Sequence, residues 1–165
     1  MISNEKMTIT LTTTENQKNN NYSNFTSINL GECENILRKV YNISKDQKIF
    51  MKKIDIKQEY FKIPKIQYDI YSKLNNSNLI KLNISYCQNI KIDLFMPLIL
   101  NDSIDILNPK SDYYNDLCYI TTSNSGTDII IKDRQKEFIN NNKTICQEKC
   151  DLINYNNIDK IVQCS

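Results

Sequence analysis

Four of the six cysteines, Cys118, Cys146, Cys150 and Cys164, are crowded into the last third of the chain, while Cys33 and Cys87 stand far apart in the earlier part. In a chain of 165 residues this distribution reads as a covalent framework, and it makes the redox compartment the first question. The expected pairing joins Cys33 to Cys87, Cys118 to Cys146 and Cys150 to Cys164, one of the many that six cysteines allow. A Cys150–Cys164 loop would stabilise the fold by about 3 kcal/mol through the entropy it removes from the unfolded chain. The rival is a tetrathiolate zinc site built from Cys118, Cys146, Cys150 and Cys164. Zinc ribbons and fingers use two tight cysteine pairs, and only Cys146 and Cys150 are tight here. Buried free thiols are the third reading.

Charge and composition narrow the classes further. With 21 basic and 19 acidic residues the net charge is +2, too weak a field for a nucleic-acid binder. The lysines between Lys45 and Lys57 alternate with Asp46 and Asp55, as on a solvated strand face. The chain is rich in Asn, Ile, Lys and Tyr, a bias that an AT-rich genome also produces. It has no His, which removes His-based nucleophile activation and His metal ligands.

Seven Asn-x-Ser/Thr sequons, at Asn21, Asn24, Asn42, Asn75, Asn83, Asn101 and Asn142, exceed the roughly three that this composition supplies by chance. They favour a secreted glycoprotein. The first twenty residues lack the apolar core of an export signal, and no apolar run is long enough to span a membrane. An extracellular chain would therefore have its export signal and anchor outside this piece.

Residues 1–25 are Thr- and Asn-rich and read as a flexible segment, with one short alternation through Met7, Ile9 and Leu11. Residues 26–165 read as one domain whose last part is cysteine-rich. Ile36, Leu37, Val40 and Tyr41 form a helical stripe behind Gly31, so a short helix carrying Cys33 at its start is predicted. Period-two patterns predict strands at 48–57, with Phe50, Ile54 and Ile56 inward, and at 65–72, with Ile66, Tyr68 and Ile70 inward. Further strands are predicted at 79–85, 90–95 and 127–131. Turns are expected at 74–78 and 123–126, a helical turn at 111–116, a short helix capped by Asp133 with Phe138 and Ile139 inward, and a closing hairpin through Tyr155 and Ile161. Many short strands without βαβ spacing predict a mainly β fold: an antiparallel β-sandwich with two or three small peripheral helices.

Three side-chain groups invite functional readings. Asp112 with Asp116, and Asp128 with Asp133, are carboxylate pairs, but a hydrolase needs two carboxyls held across a cleft. Asp102, Asp105, Asp112 and Asp116 could supply oxygens to calcium, although EF-hand spacing is absent. Tyr113, Tyr114 and Tyr119 form a candidate contact surface, or else cover one end of the sandwich.

LGECENILRKVYNI, YYNDLCY, GTDIIIKDRQKEF and the closing CQEKC to QC pattern resemble, between Ser27 and Cys164, a cysteine-bearing ectodomain module of long surface proteins of AT-rich protists, where such modules precede EGF-like stretches. The resemblance implies an extracellular, non-enzymatic structural or adhesive unit of a larger cell-surface protein. The weak net charge and the lack of a long apolar run lead to the expectation of no nucleic acid and no membrane span within this chain, no cofactor is expected, and a protein or glycan at the cell surface is the class of ligand such a unit could take. The alternatives are an intracellular zinc-binding interaction adaptor and a hydrolase with an unlocated carboxylate pair.

Overall fold

The computed structural model describes residues 1–18, 25–58, 63–73, 78–99, 103–123, 125–141, 145–147 and 150–165, with the backbone alone for 137–141. Among these, nine strands form two antiparallel sheets. The first sheet contains β1 (Ile2–Ser3), β2 (Met7–Thr13), β4 (Ile49–Ile56), β5 (Lys65–Lys73) and β6 (Leu79–Lys81), in the order β1-β2-β4-β5-β6. The second is ordered β3-β7-β9-β8 and contains β3 (Ser27–Asn29), β7 (Asp93–Pro97), β8 (Leu152–Asn156) and β9 (Ile161–Cys164). Ile49, Met51, Ile66 and Ile70 of the first sheet share one buried cluster with Ile28, Leu94, Met96 and Val162 of the second, which is the two-layer arrangement of a sandwich.

Helices α1 (Thr14–Lys18), α2 (Glu32–Val40), α3 (Asp112–Asn115) and α4 (Ile131–Asn141) sit around these sheets. The stripe on α2 buries Cys33 and Leu37 completely, whereas Val40 stays 45% exposed. Its last turn is tied to the loop that follows. Arg38 holds the Glu34 carboxylate at 2.8 Å and donates to the Ser44 and Gln47 carbonyls, each at 2.8 Å.

Several expectations change. Met7–Thr13, expected within a flexible segment, is a full strand in register with β4, from Met7 opposite Ile56 to Thr13 opposite Phe50. Its Thr-rich sequence suits a strand, and Thr8, Thr10 and Thr12 lie on the same face as Met51 and Lys53. On β4 the inward residues are Ile49, Met51 and Lys53, not Phe50, Ile54 and Ile56. Both faces of β4 carry apolar residues, so alternation alone cannot choose between them. Residues 127–131 contribute only a bridge between Thr122 and Asp128, and α4 begins at Ile131, so Asp133 lies in its first turn instead of capping it. The strand predicted at 79–85 ends at Lys81, and a 3-10 helix, Ile84–Cys87, replaces the remainder. The side chains of Phe138 and Ile139, and the turn at 74–77, lie outside the described residues.

Candidate functional site

Two disulfides tie separate parts of the chain. Cys33 is bonded to Cys87, with Cα atoms 5.4 Å apart, and ties α2 to the 3-10 turn after β6. Cys146 is bonded to Cys164 (Cα–Cα 5.8 Å), so the expected Cys118–Cys146 and Cys150–Cys164 pairs are replaced. Cys118 is an exposed thiol and Cys150 a half-buried one. Cys150 nonetheless stays beside the bridge. The Asp151 and Ser165 backbones bond to each other in both directions, at 2.8 and 2.9 Å, which sets Cys150 diagonally across from Cys164. Burial pushes the Cys150 thiol up, and Asp151 adds to this, while a hydrogen bond from Gln147 opposes it. With Cys146 and Cys164 joined to one another, a tetrathiolate site is not formed. Among the described residues no group of three His, Cys, Asp or Glu side chains could hold a metal ion.

Tyr113 and Tyr114 are 3% and 4% exposed and so do not form a contact surface. They pack edge-to-face with each other, and Tyr113 packs in the same way on Tyr119. The reason is Arg134 of α4, itself 1% exposed. Its guanidinium lies 5.5 Å from the Tyr113 ring centre and 5.7 Å from that of Tyr119. It also donates to the carbonyls of Tyr113 at 2.7 Å and Asp116 at 3.2 Å. Tyr113 and Tyr119 thus line a buried cation, while the Tyr114 hydroxyl donates to the Ile106 carbonyl at 2.6 Å. The Asp116 carboxylate accepts from the Cys118 backbone N–H, a local turn contact and not part of a carboxylate pair across a cleft.

Lys53 is the second buried cation. Its ammonium donates to the Thr26 carbonyl and hydroxyl and lies 3.1 Å from Asp55. Burial lowers its pKa, and Asp55 works against that shift. At 2% exposure the amine is closed to substrate, which makes it a tie between β4 and the residue that precedes β3.

Besides a pocket of about 540 Å³ lined by Met7, Phe25, Asp55, Lys57 and Pro97 among others, the described residues form a groove of about 400 Å³ on the outer face of the second sheet. Strand register builds its floor. Ser27 stands opposite Phe95, Phe95 opposite Gln163, and Gln163 opposite Asn154, a single row across all four strands. Ile161 and Asn156 stand opposite each other in the next row. The alternate residues Ile28, Leu94, Met96 and Val162 point into the core, which turns this row outward. Phe25, 51% exposed, and Lys18 of α1 form one wall. Lys18 is already committed, 3.1 Å from Glu34.

Two amides on the floor, those of Gln163 and Asn154, make no hydrogen bond to other described residues, whereas Gln17 and Asn156 are held within the fold. The groove therefore offers uncharged donors and acceptors beside aromatic surface. Its lining holds no carboxylate and no thiol. Sequence reading missed it because its floor comes from four strands that meet only through pairing, with α1 added as part of a wall.

Of the sequons, Asn42 and Asn83 are exposed, and Asn21, Asn24, Asn75, Asn101 and Asn142 lie outside the described residues. The Asn83 side-chain oxygen accepts from the Ser85 N–H, and its backbone N–H donates to the Tyr41 hydroxyl. No family model matches this chain, and no curated protein or solved structure matches it.

Proposed function

We propose that this chain is a non-enzymatic structural or adhesive module of a larger cell-surface protein, displayed in an oxidising environment. Its two disulfides carry the reading, because paired cysteines persist where thiols are not kept reduced. They tie a 3-10 turn to a helix and the last strand to the chain before β8, the joints that a displayed module must hold without help from neighbours. The exposed sequons at Asn42 and Asn83 support the same compartment. Among the described residues no helix is long and apolar enough to cross a membrane.

The test is a thiol count on protein alkylated as its cells are opened. N-ethylmaleimide is expected to label Cys118 and Cys150 before reduction and all six cysteines after it. A mass loss on treatment with peptide-N-glycosidase would place glycans on the same molecules. Labelling of all six cysteines before reduction would refute the proposal.

A further inference from the structure

We infer that the groove on the second sheet is a binding site for a neutral glycan, held by the Gln163 and Asn154 amides against Phe95 and Phe25. This assignment rests on the adhesive reading above and names the ligand class for it. The chemistry of the lining selects the class by exclusion. An anionic ligand would need a free cation, and Lys18 is spent on Glu34 at 3.1 Å. A cationic ligand would need a carboxylate, and none lines the groove. A purely apolar ligand would strip water from two amides and give them no partner.

Sugar rings satisfy all three conditions. Each carboxamide presents a carbonyl acceptor and two N–H donors in one plane, which suits a pair of neighbouring hydroxyls. The apolar C–H face of a pyranose covers an aromatic ring, and Phe95 sits between Ser27 and Gln163 in the same row. Geometry agrees as well. Ser27 is buried, so the open part of the row crosses three strands spaced by about 4.8 Å and is roughly 10 Å long, which matches a short oligosaccharide. A volume of about 400 Å³ falls in the range of small-ligand sites and is too small to seat a folded partner. The chain is Asn-rich throughout, so the number of amides says little. Their alignment with aromatic surface on a strand face, where Asn is disfavoured, is what sets this row apart.

The experiment uses the intact chain as a streptavidin-linked tetramer, because multivalency raises weak single-site binding to a measurable level. The probes are mannohexaose, cellohexaose and chitohexaose as neutral glycans, with heparin and polysialic acid as anionic ones. Binding to at least one neutral oligosaccharide, unchanged in high salt, is expected. The double variant Gln163→Ala with Asn154→Ala should weaken it at least about tenfold, with melting and disulfide mapping unchanged. Phe25→Ala, at an exposed position, should weaken it without any cost in folding, which covers the case of a variant that fails to fold.

Three results would overturn the assignment: no neutral glycan bound, binding to anionic glycans only, or full binding by both variants. So would binding to cells that resists periodate oxidation of surface sugars but is lost on surface proteolysis, which would assign the groove to a protein. Two free thiols with no glycan binding would sink this inference and leave the compartment reading standing. Six free thiols with glycan binding intact would do the reverse.

Discussion

Removing the two disulfides one at a time should cost unequal amounts, and their order in the chain says which costs more. Cys33 and Cys87 are separated by 54 residues, and Cys146 and Cys164 by 18. Loop entropy in the unfolded chain gives about 4 kcal/mol for the first and about 3 kcal/mol for the second. The difference, 1.5RT times the logarithm of the threefold ratio of loop lengths, is about 1 kcal/mol. The packing that each pair of sulfurs provides in the folded state nearly cancels in that difference. One cysteine of each pair is 0% exposed, and the other is 5% or 9% exposed. The loops do not overlap, so the costs should add when both are removed. Urea unfolding of Cys33→Ala with Cys87→Ala, and of Cys146→Ala with Cys164→Ala, measures both. Each should be made in a Cys118→Ser, Cys150→Ser background to prevent exchange. The m-value should rise in each case as the unfolded chain expands, and more for the longer loop. Equal costs, or a larger cost for the 18-residue separation, would refute the entropic account and assign the stabilisation to packing in the folded state.

Three further outcomes follow from individual side chains. Burial raises the Glu34 pKa, but hydrogen bonds from Arg38 and Lys18 and their charges overcome it and leave it below the ordinary glutamate value. The stability this supplies is present above the unfolded-state pKa and is lost as pH falls through the folded one. The cost of Glu34→Gln in urea midpoints should therefore shrink between pH 7 and pH 3, and a constant cost would contradict the reasoning. Arg134→Met removes the donors to two carbonyl groups and the charge beside two rings, and should destabilise by about 2–4 kcal/mol in thermal unfolding. Arg134→Lys should rescue little of that, since an ammonium cannot make the same fork while stacked between two rings; recovery with Lys would reject that geometry. In Cys146→Ser, Cys164 should pair with Cys150, because the shorter loop changes closure entropy by only about 0.2 kcal/mol. Tryptic peptides 150–160 and 161–165 should then appear joined, and an alkylated Cys164 would refute it.

What the sequence made legible is the part governed by local rules. The two-sheet, mainly β architecture follows from period-two runs such as Ile66, Tyr68 and Ile70, all on the core face of β5. Helix α2 follows from its stripe, and the β8–β9 hairpin from Tyr155 and Ile161. The Cys33–Cys87 bond was readable because one cysteine opens a helix and the other sits in a short connection after the strands. The C-terminal pairing was not. Cys146 and Cys150 lie so close in the chain that a loop-entropy difference of about 0.2 kcal/mol cannot choose between them. Strand register decides, since it places Leu152 opposite Cys164 and leaves Cys150 off the pair by two residues.

The same distinction explains why the groove escapes a linear reading while the tyrosines attract one. Tyr113 and Tyr114 are adjacent in the chain, so they form a visible cluster, yet Arg134, twenty-one residues downstream of Tyr113, claims Tyr113 for the interior and the Ile106 carbonyl holds the Tyr114 hydroxyl there. Ser27, Phe95, Gln163 and Asn154 have no proximity in sequence, and each alone is an ordinary strand residue. Pairing of β3, β7, β9 and β8 makes them a row, and the core-facing residues between them force that row outward. A surface assembled this way depends on every register in the sheet. A one-residue slip of β9 would replace Gln163 with Val162 or Cys164 on the outer face and bury an amide in the core. The Cys146–Cys164 bond opposes that slip directly, because it holds the end of β9 to a fixed point. The disulfide and the amide row are thus coupled, because the covalent bond opposes the slip that would change which side of β9 meets solvent.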